Sequence, residues 1–450
     1  QLLDDDASLA TLMPETLAAL DAVLPATWSH ANPVDIIGDA PPERYGAAML
    51  AVAADPGVDA ILVMNCPTAM ADPVAAAMAV AGETQHVMID GKPVLACWLG
   101  KLAAGPARDV LQRSGIANFD TPGQAAEAVA FLTRWSRVRG QLERVPPAVA
   151  DADFDRNAAH TILANAAAER RTLLTEWEAK RVLAYYRVPV PETIFAATEA
   201  GVEIAAQKLL NKHSSLVVKM ASKTVSHKSD IGGVVLDVPS AAAAREAATA
   251  IRHRFDVTFQ GVPLDGFTVQ PMVVRPGARE LLAGVSTDPG FGPVVVFGAG
   301  GTSVEVVDDT ATGLVPLDGV LAGDLIDRTR VGRLLAGYRD VPPANRNAIV
   351  ATLVALSQLV TDFPMITSID INPLLAEPTG VIALDARIEI DPSRASLPAP
   401  NPALAIRPYP ADQQSAVSVG GEAMLLRPIR PDDAALYPRF LERIDPEDMR

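Results

Sequence analysis

Cysteine is nearly absent. The 450-residue chain has two, Cys66 and Cys97, too few for a disulfide framework, and their apolar neighbours predict buried thiols in a reducing compartment. No apolar run is long enough to span a bilayer, and the opening QLLDDDASLA lacks the basic, apolar, small-residue order of a signal peptide. Membrane insertion is therefore not expected, and the chain reads as cytoplasmic. Basic residues are in the minority, 38 Lys and Arg against 54 Asp and Glu, for a formal net charge of −16. That balance argues against a nucleic-acid surface, which clustered cations build, but a nucleotide site needs only a few local ones. An initiating methionine is also missing, and a fragment is expected.

The length predicts roughly three domains, each able to bury its own core. From 1 to about 140, apolar runs alternate with helical patterns. Ala60 to Met64 and Val94 to Trp98 read as parallel strands, and Pro73 to Gly82 and Thr121 to Trp135 as helices. This alternation predicts an α/β fold with a doubly wound, flavodoxin-like parallel sheet, whose ligands sit at the strand C-termini. Asn65-Cys66-Pro67-Thr68, Leu99-Gly100-Lys101 and Asn32-Pro33-Val34-Asp35 fall there, although each is also ordinary turn and cap chemistry. His30 has no acid or cysteine visible nearby and reads as a hydrogen-bonding residue only, as do His86, His160, His213 and His253. Proline and alanine over 141–165 mark a linker. Thr175-Glu176-Trp177-Glu178 then opens a helix with a capping box.

The stretch from Leu216 to Val238, LVVKMASKTVSHKSDIGGVVLDV, organises the chain. Two strand-length apolar runs flank a polar loop carrying Lys219, Lys223, His227 and Lys228, and Gly232-Gly233 lets backbone approach a ligand closely. A lysine leaving one strand and free N–H groups before the next would meet the charge of a triphosphate. The stretch equally reads as an exposed hairpin with a solvated basic tip. Phe267 to Val274, with Gln270 and Met272, is an apolar strand, and Arg279 to Val285 continues it.

FGPVVVFGAGGTSVEVVDD holds Gly298, Gly300 and Gly301, but Ser303 to Val307 resumes a β pattern where a dinucleotide fingerprint needs a helix. Strand–turn–strand is expected. After a helix over Asn347 to Val360, period two in TSIDINPL puts Asp370 and Asn372 on one face, opposite Ile369 and Ile371. Asp385 would end the paired strand, so the hairpin gathers hard oxygen donors suited to Mg²⁺ with phosphate and water. Alone, these would be polar residues facing solvent; beside the lysine loop they read as a metal site. Residues 393–420 are again a proline-rich linker, and 421–450 open with a strand leading to an acid-capped helix.

The run from about Thr175 to Ile390, through SHKSDIGGV and DINPL, closely resembles the ATP-grasp portion of nucleoside-diphosphate-forming acyl-CoA synthetases, relatives of succinyl-CoA synthetase. Asn32 to Asp39, NPVDIIGD, resembles a motif of their second flavodoxin-like domain. The resemblance implies a succinyl-CoA synthetase-like domain at 1–140 and an α+β ATP-grasp domain at 166–392. It implies ATP phosphates on Lys219 and Gly232-Gly233, adenine along Gln270 to Met272, ribose at Glu280, and Mg²⁺ on Asn372 and Asp385 with Asp370 in support. His227 matches a histidine implicated in a phosphohistidine relay. The CoA domain and the principal phosphohistidine would lie before Gln1, so CoA, acyl-CoA or acyl phosphate would be met through missing domains, in an oligomer. The tail LLRPIRPDD resembles the start of a GNAT acetyltransferase, as in bacterial protein lysine acetyltransferases, whose synthetase-like part is regulatory and whose substrates are proteins. Two functions are open: an enzyme module using Mg·ATP to phosphorylate a histidine, or a nucleotide- or CoA-sensing regulatory region.

Overall fold

Parallel strands need crossover connections of a dozen or more residues, usually helices, and the first part of the chain is built that way. In a computed structural model, residues 7–68, 70–89, 91–100, 102–144, 153–223, 231–301, 309–337, 339, 341–445 and 447 are described. The chain divides into two units, Gln1–Glu143 and Arg144–Arg450. In the first, strands β1 (Ile61–Asn65), β2 (Val94–Trp98) and β3 (Ala117–Phe119) form a parallel sheet in that order, joined through helices Pro73–Ile89 and Gly105–Arg113. The fold expectation of a parallel α/β sheet holds. Helix Pro73–Ile89 runs through Gly82, where the sequence reading stopped it; a single glycine costs a helix only about 1 kcal/mol and does not end it. Thr121 caps the next helix by accepting from the Gln124 N–H.

Two expectations for this unit need correction. Cys97 is buried in β2 but Cys66 is exposed, because β1 ends at Asn65 and the chain there leaves the sheet. His30 does have an acid partner: its Nδ1 lies 2.9 Å from Asp21 Oδ1, from a helix earlier in the chain.

The second unit has two sheets with separate cores. Strands β4 (Ile194–Ala196), β5 (Leu216–Ala221), β6 (Val234–Val238) and β7 (Gly266–Pro271) form an antiparallel sheet in the order β4-β7-β5-β6. Helices Glu199–Leu210 and Ala241–Thr258 pack on it through Val202, Leu209, Ile251 and Phe255. Strands β8 (Arg279–Asp288), β9 (Gly292–Ala299), β10 (Thr310–Leu314), β11 (Ile366–Glu377) and β12 (Gly380–Ala383) run β10-β9-β8-β11-β12, and β13 (Arg387–Ile390) also pairs with β11. Helix Arg346–Asp362 covers this sheet with Ile349, Leu353, Leu356 and Val360. β9 pairs antiparallel with β10; the second strand of the expected strand–turn–strand, Ser303 to Val307, lies outside the described residues. A last hairpin joins β14 (Ser415–Val419) to β15 (Glu422–Leu426). Among the described residues no helix is long and apolar enough to cross a membrane.

The expected linkers carry more structure than a tether. Helix Arg156–Ala168 occupies the end of 141–165 and adds Ala159 and Leu163 to the second core. Within 393–420, the Asn401 N–H donates to the Thr361 carbonyl at 2.8 Å and its Nδ2 to the Val360 carbonyl at 3.0 Å, while Leu404 and Tyr409 are buried. Gly292 seats this strap: its φ is +71°, and a Cβ there would fall on the Ala403 carbonyl. Gly292→Ala is expected to cost about 2–4 kcal/mol, from strained backbone and overpacking together, as a lower denaturation midpoint. An unchanged midpoint would show that the strap does not sit on β9.

Candidate functional site

Strand alternation places the functional side chains. On β5, Leu216, Val218 and Met220 enter the core under the helices, which turns Val217 and Lys219 to the opposite face. On β7, Phe267 and Val269 point inward and Gln270 outward; on β11, Ile369 and Ile371 are buried while Asp370 and Asn372 face out. The outward faces meet across a cleft of about 620 Å³ between the two sheets, lined also by Glu176, Val234, Leu236, Met272, Asp385 and Arg387.

At one wall, two ammonium groups share a carboxylate oxygen. Glu176 Oε1 accepts from Lys180 Nζ and from Lys219 Nζ, each at 2.7 Å, and Lys180 also donates to Gln270 Oε1 at 2.8 Å. Glu176 stands in the first turn of helix Glu176–Tyr185, where the capping box is made as expected: Thr175 Oγ1 accepts from the Glu178 N–H, and the Glu178 carboxylate accepts from the Thr175 N–H. Lys180, at i+4, is 2% exposed. Burial pulls its pKa down to about 8, with Glu176 opposing and Lys219 adding to the fall. Lys219 moves the other way: burial works against its charge, but Glu176 and Asp385 outweigh it and hold the pKa above the ordinary lysine value. Glu176 and Asp385 favour the charge of both lysines, but at Lys180 burial together with the like charge of Lys219 outweighs them.

The opposite wall is acidic. Partial desolvation, then the charge of Asp385, pushes the Asp370 carboxyl above the usual range, with Arg387 opposing. Asn372 Oδ1 accepts from the Gly301 N–H at 2.9 Å, which fixes its orientation. Among the described residues no group of three or more His, Cys, Asp or Glu side chains could hold a metal ion. Mg²⁺ does not require one: it takes one or two carboxylates and completes an octahedron with phosphate oxygens and water. Two facing carboxylates, one of them resisting ionisation, plus an amide oxygen fit that cation. β12 ends at Ala383, so Asp385 sits in the turn before β13 and not at the end of a paired strand; its Oδ1 accepts from the Ala386 N–H.

The structure thus brings Lys219, Gln270, Met272, Asp370, Asn372 and Asp385 to one cleft. Gly232 and Gly233 lie off the lining, just before Val234; Gly232 has φ +63° and the Gly233 carbonyl accepts from the Met220 N–H. Glu280, on β8, is also off the lining, with its carboxylate against Gly301. Lys223 is occupied elsewhere, Nζ by Glu169 at 2.9 Å and its N–H by Asp265. His227 and Lys228 lie outside the described residues. Sequence reasoning missed Glu176 and Lys180. Their signal was a charged i, i+4 pair beside the buried face of a capped helix. In the first unit, two of the expected segments meet, the Leu99 N–H donating to the Asn65 carbonyl at 2.8 Å, and Thr68 Oγ1 donates to the Gly38 carbonyl of NPVDIIGD.

Comparison with known proteins matches residues 165–390 to the ATP-grasp domain model and residues 2–143 to the Ligase-CoA domain model. Among curated relatives, "Acetate--CoA ligase [ADP-forming] I subunit beta" of Pyrococcus furiosus is 35% identical over 51% of this chain and 97% of its own length. "Acetate--CoA ligase [ADP-forming] I" of Archaeoglobus fulgidus is 32% identical over 84% of this chain and 53% of its own; the chain spans about half the length of such full-length relatives. A solved "dinucleotide forming Acetyl-coenzyme A synthetase 1" of Ca. Korarchaeum cryptofilum, in complex with coenzyme A, Ca-AMPCP and HgCl+, is 31% identical. It covers 52% of this chain and 100% of its own, at a TM-score of 0.49.

Glu176 is the counter-charge both lysines depend on. Removing one partner of a buried ion pair costs about 3–5 kcal/mol, so Glu176→Gln should lower stability on that scale in a denaturant titration. A loss below about 1 kcal/mol, the size of an exposed pair, would mean that other groups neutralise the lysines.

Proposed function

From the premise that the chain belongs to the ATP-grasp domain family, we propose that it is the Mg·ATP-binding module of an acyl-CoA synthetase-like protein that forms ADP. The observation that carries this reading is the charge division of one cleft, with Lys219 on one wall and Asp370, Asn372 and Asp385 on the other. Its volume lies within the range of small-molecule sites. In this reading Lys219 and the backbone at Gly232-Gly233 hold phosphate oxygens, and Gln270 and Met272 meet the base between apolar Val217, Leu236 and Leu173. Glu280 is assigned to the ribose. Asn372 and Asp385, with Asp370, would hold Mg²⁺, which when bound neutralises phosphate charge.

His227 is assigned as the phosphoryl acceptor. A neutral imidazole nitrogen attacks the γ-phosphorus, the bond from the β–γ bridging oxygen breaks, and ADP leaves with that electron pair. Transfer onward to an acyl group and CoA would use domains outside this chain, in an assembly; the relative termed subunit beta supports that view. A second reading has the region regulating a GNAT protein lysine acetyltransferase. It is favoured by the tail, where the β14–β15 hairpin leads into helix Tyr437–Leu441 and Met424, Leu425, Leu426 and Phe440 are all exposed, as the opening elements of a further domain would be. The Arg427 guanidinium pairs with Asp433 at 2.6 and 2.8 Å and holds the turn between them.

Calorimetry should show Mg·ATP binding to the parent and a loss of about tenfold or more, some 1.4 kcal/mol, in Lys219→Ala and in Asp385→Ala. Both variants binding as tightly as the parent would refute the site assignment. With γ-labelled ATP, acid-labile, base-stable label is expected in the parent and not in His227→Ala. Label that persists in the variant, or that is absent from a parent proven to bind ATP, would sink the phosphoryl-transfer role and leave the regulatory reading.

A further inference from the structure

Lys180 has no part in the phosphate or metal assignments, yet it is an ammonium at 2% exposure with two fixed partners. One is Glu176, a turn earlier on its own helix, which anchors the charge. The other is Gln270 Oε1, on β7 of the facing sheet. An ammonium only donates hydrogen bonds, so it accepts one orientation of the Gln270 carboxamide, oxygen toward the lysine. The flipped amide would aim its own N–H groups at a buried cation, and the bond it gave up is charge-assisted. Gln270 is 4% exposed and lines the cleft. With its oxygen spent on Lys180, its free polar group is the Nε2 amide, which has no protein acceptor among the described residues and is not sealed away from the cleft.

We infer that Lys180 is a positioning residue for base selection: by holding the Gln270 oxygen it commits this wall of the cleft to a hydrogen-bond donor, and so makes the site distinguish adenine from guanine. The inference rests on the nucleotide reading above. The two purines carry opposite groups at position 6, an amino donor in adenine and a carbonyl acceptor in guanine, with N1 inverted in step. Facing the N1 edge, a donor that cannot rotate meets an acceptor on adenine and a donor on guanine, which is the choice the Mg·ATP reading requires. A glutamine free to flip would serve both. A site built around a fixed hydrogen bond rejects the mismatched partner because a buried polar group is left unpaired.

The test uses the 450-residue chain and compares Mg·ATP, Mg·GTP and Mg·tripolyphosphate by calorimetry. The parent should prefer Mg·ATP over Mg·GTP by about tenfold or more, the discrimination of one unmade hydrogen bond. In Lys180→Met the preference should collapse toward equality, since Gln270 is free to turn. In Gln270→Glu the Lys180 contact is kept but an oxygen replaces the amide nitrogen, so the preference should reverse. Tripolyphosphate, which has no base, reports any change shared through Glu176 and Lys219. A Lys180→Met protein that binds both nucleotides more weakly but with the parent's preference would overturn the inference, as would a parent that binds the two purines equally. Should Lys180→Met fail to fold, Gln270→Glu decides alone, and an unchanged preference is fatal. A parent that binds none of the three ligands defeats the nucleotide reading itself, a different result from one that binds without choosing.

Discussion

The structure of the cleft depends on one oxygen atom accepting from two lysines. Helix Glu176–Tyr185 is rooted in the core of the six-stranded sheet through Ala179, Val182 and Leu183, whereas Lys219 and Gln270 stand on the four-stranded sheet with its own core. The bonds from Lys219 to Glu176 and from Lys180 to Gln270 therefore cross from one layer to the other at this wall of the site. Three charges on one oxygen leave a surplus of one positive charge. Burial makes such a surplus costly, and an anionic ligand relieves it. Across the cleft, Asp370 and Asp385 carry the opposite surplus. A ligand that is both a polyanion and a carrier of a divalent cation settles both walls at once. That local division matters more than the net charge of −16, which says nothing about where individual charges lie.

Much of this was legible in the sequence because β-strands encode sidedness with period two. Lys219 between Val218 and Met220, and Asp370 and Asn372 alternating with Ile369 and Ile371, declare their face without tertiary information. The capping box at Thr175 was equally local. Glu176 and Lys180 were not legible in the same way. An i, i+4 ion pair on a helix is normally a solvated surface feature, and only the packing of that helix against the facing sheet buries it. Asp385 was placed one element too early, because strand ends depend on hydrogen-bond partners that sequence does not reveal. Cys66 was misread for a related reason: its apolar neighbours belong to β1, but the strand stops one residue short of it.

Proline-rich stretches were the other blind spot. Proline removes backbone donors and periodicity, and that is the signature of a tether. It does not prevent a chain from lying down on a surface that offers carbonyl acceptors and an apolar seat. Asn401 supplies the donors and Leu404 the apolar contact. The glycine that makes room for the strap, Gly292, is far away in sequence, and nothing in its neighbourhood announces the role.

The strap also sets the reach of the tail. Tyr409 is buried and donates its hydroxyl to the Pro428 carbonyl at 2.8 Å, and Arg430 stacks over its ring. The β14–β15 hairpin is thus tied at its base to a segment already fastened along the sheet. Anything displayed by the hairpin is anchored at Tyr409 and not at Pro392. A shorter leash confines it to a smaller volume and raises its effective concentration at nearby surfaces, without any interface having to form.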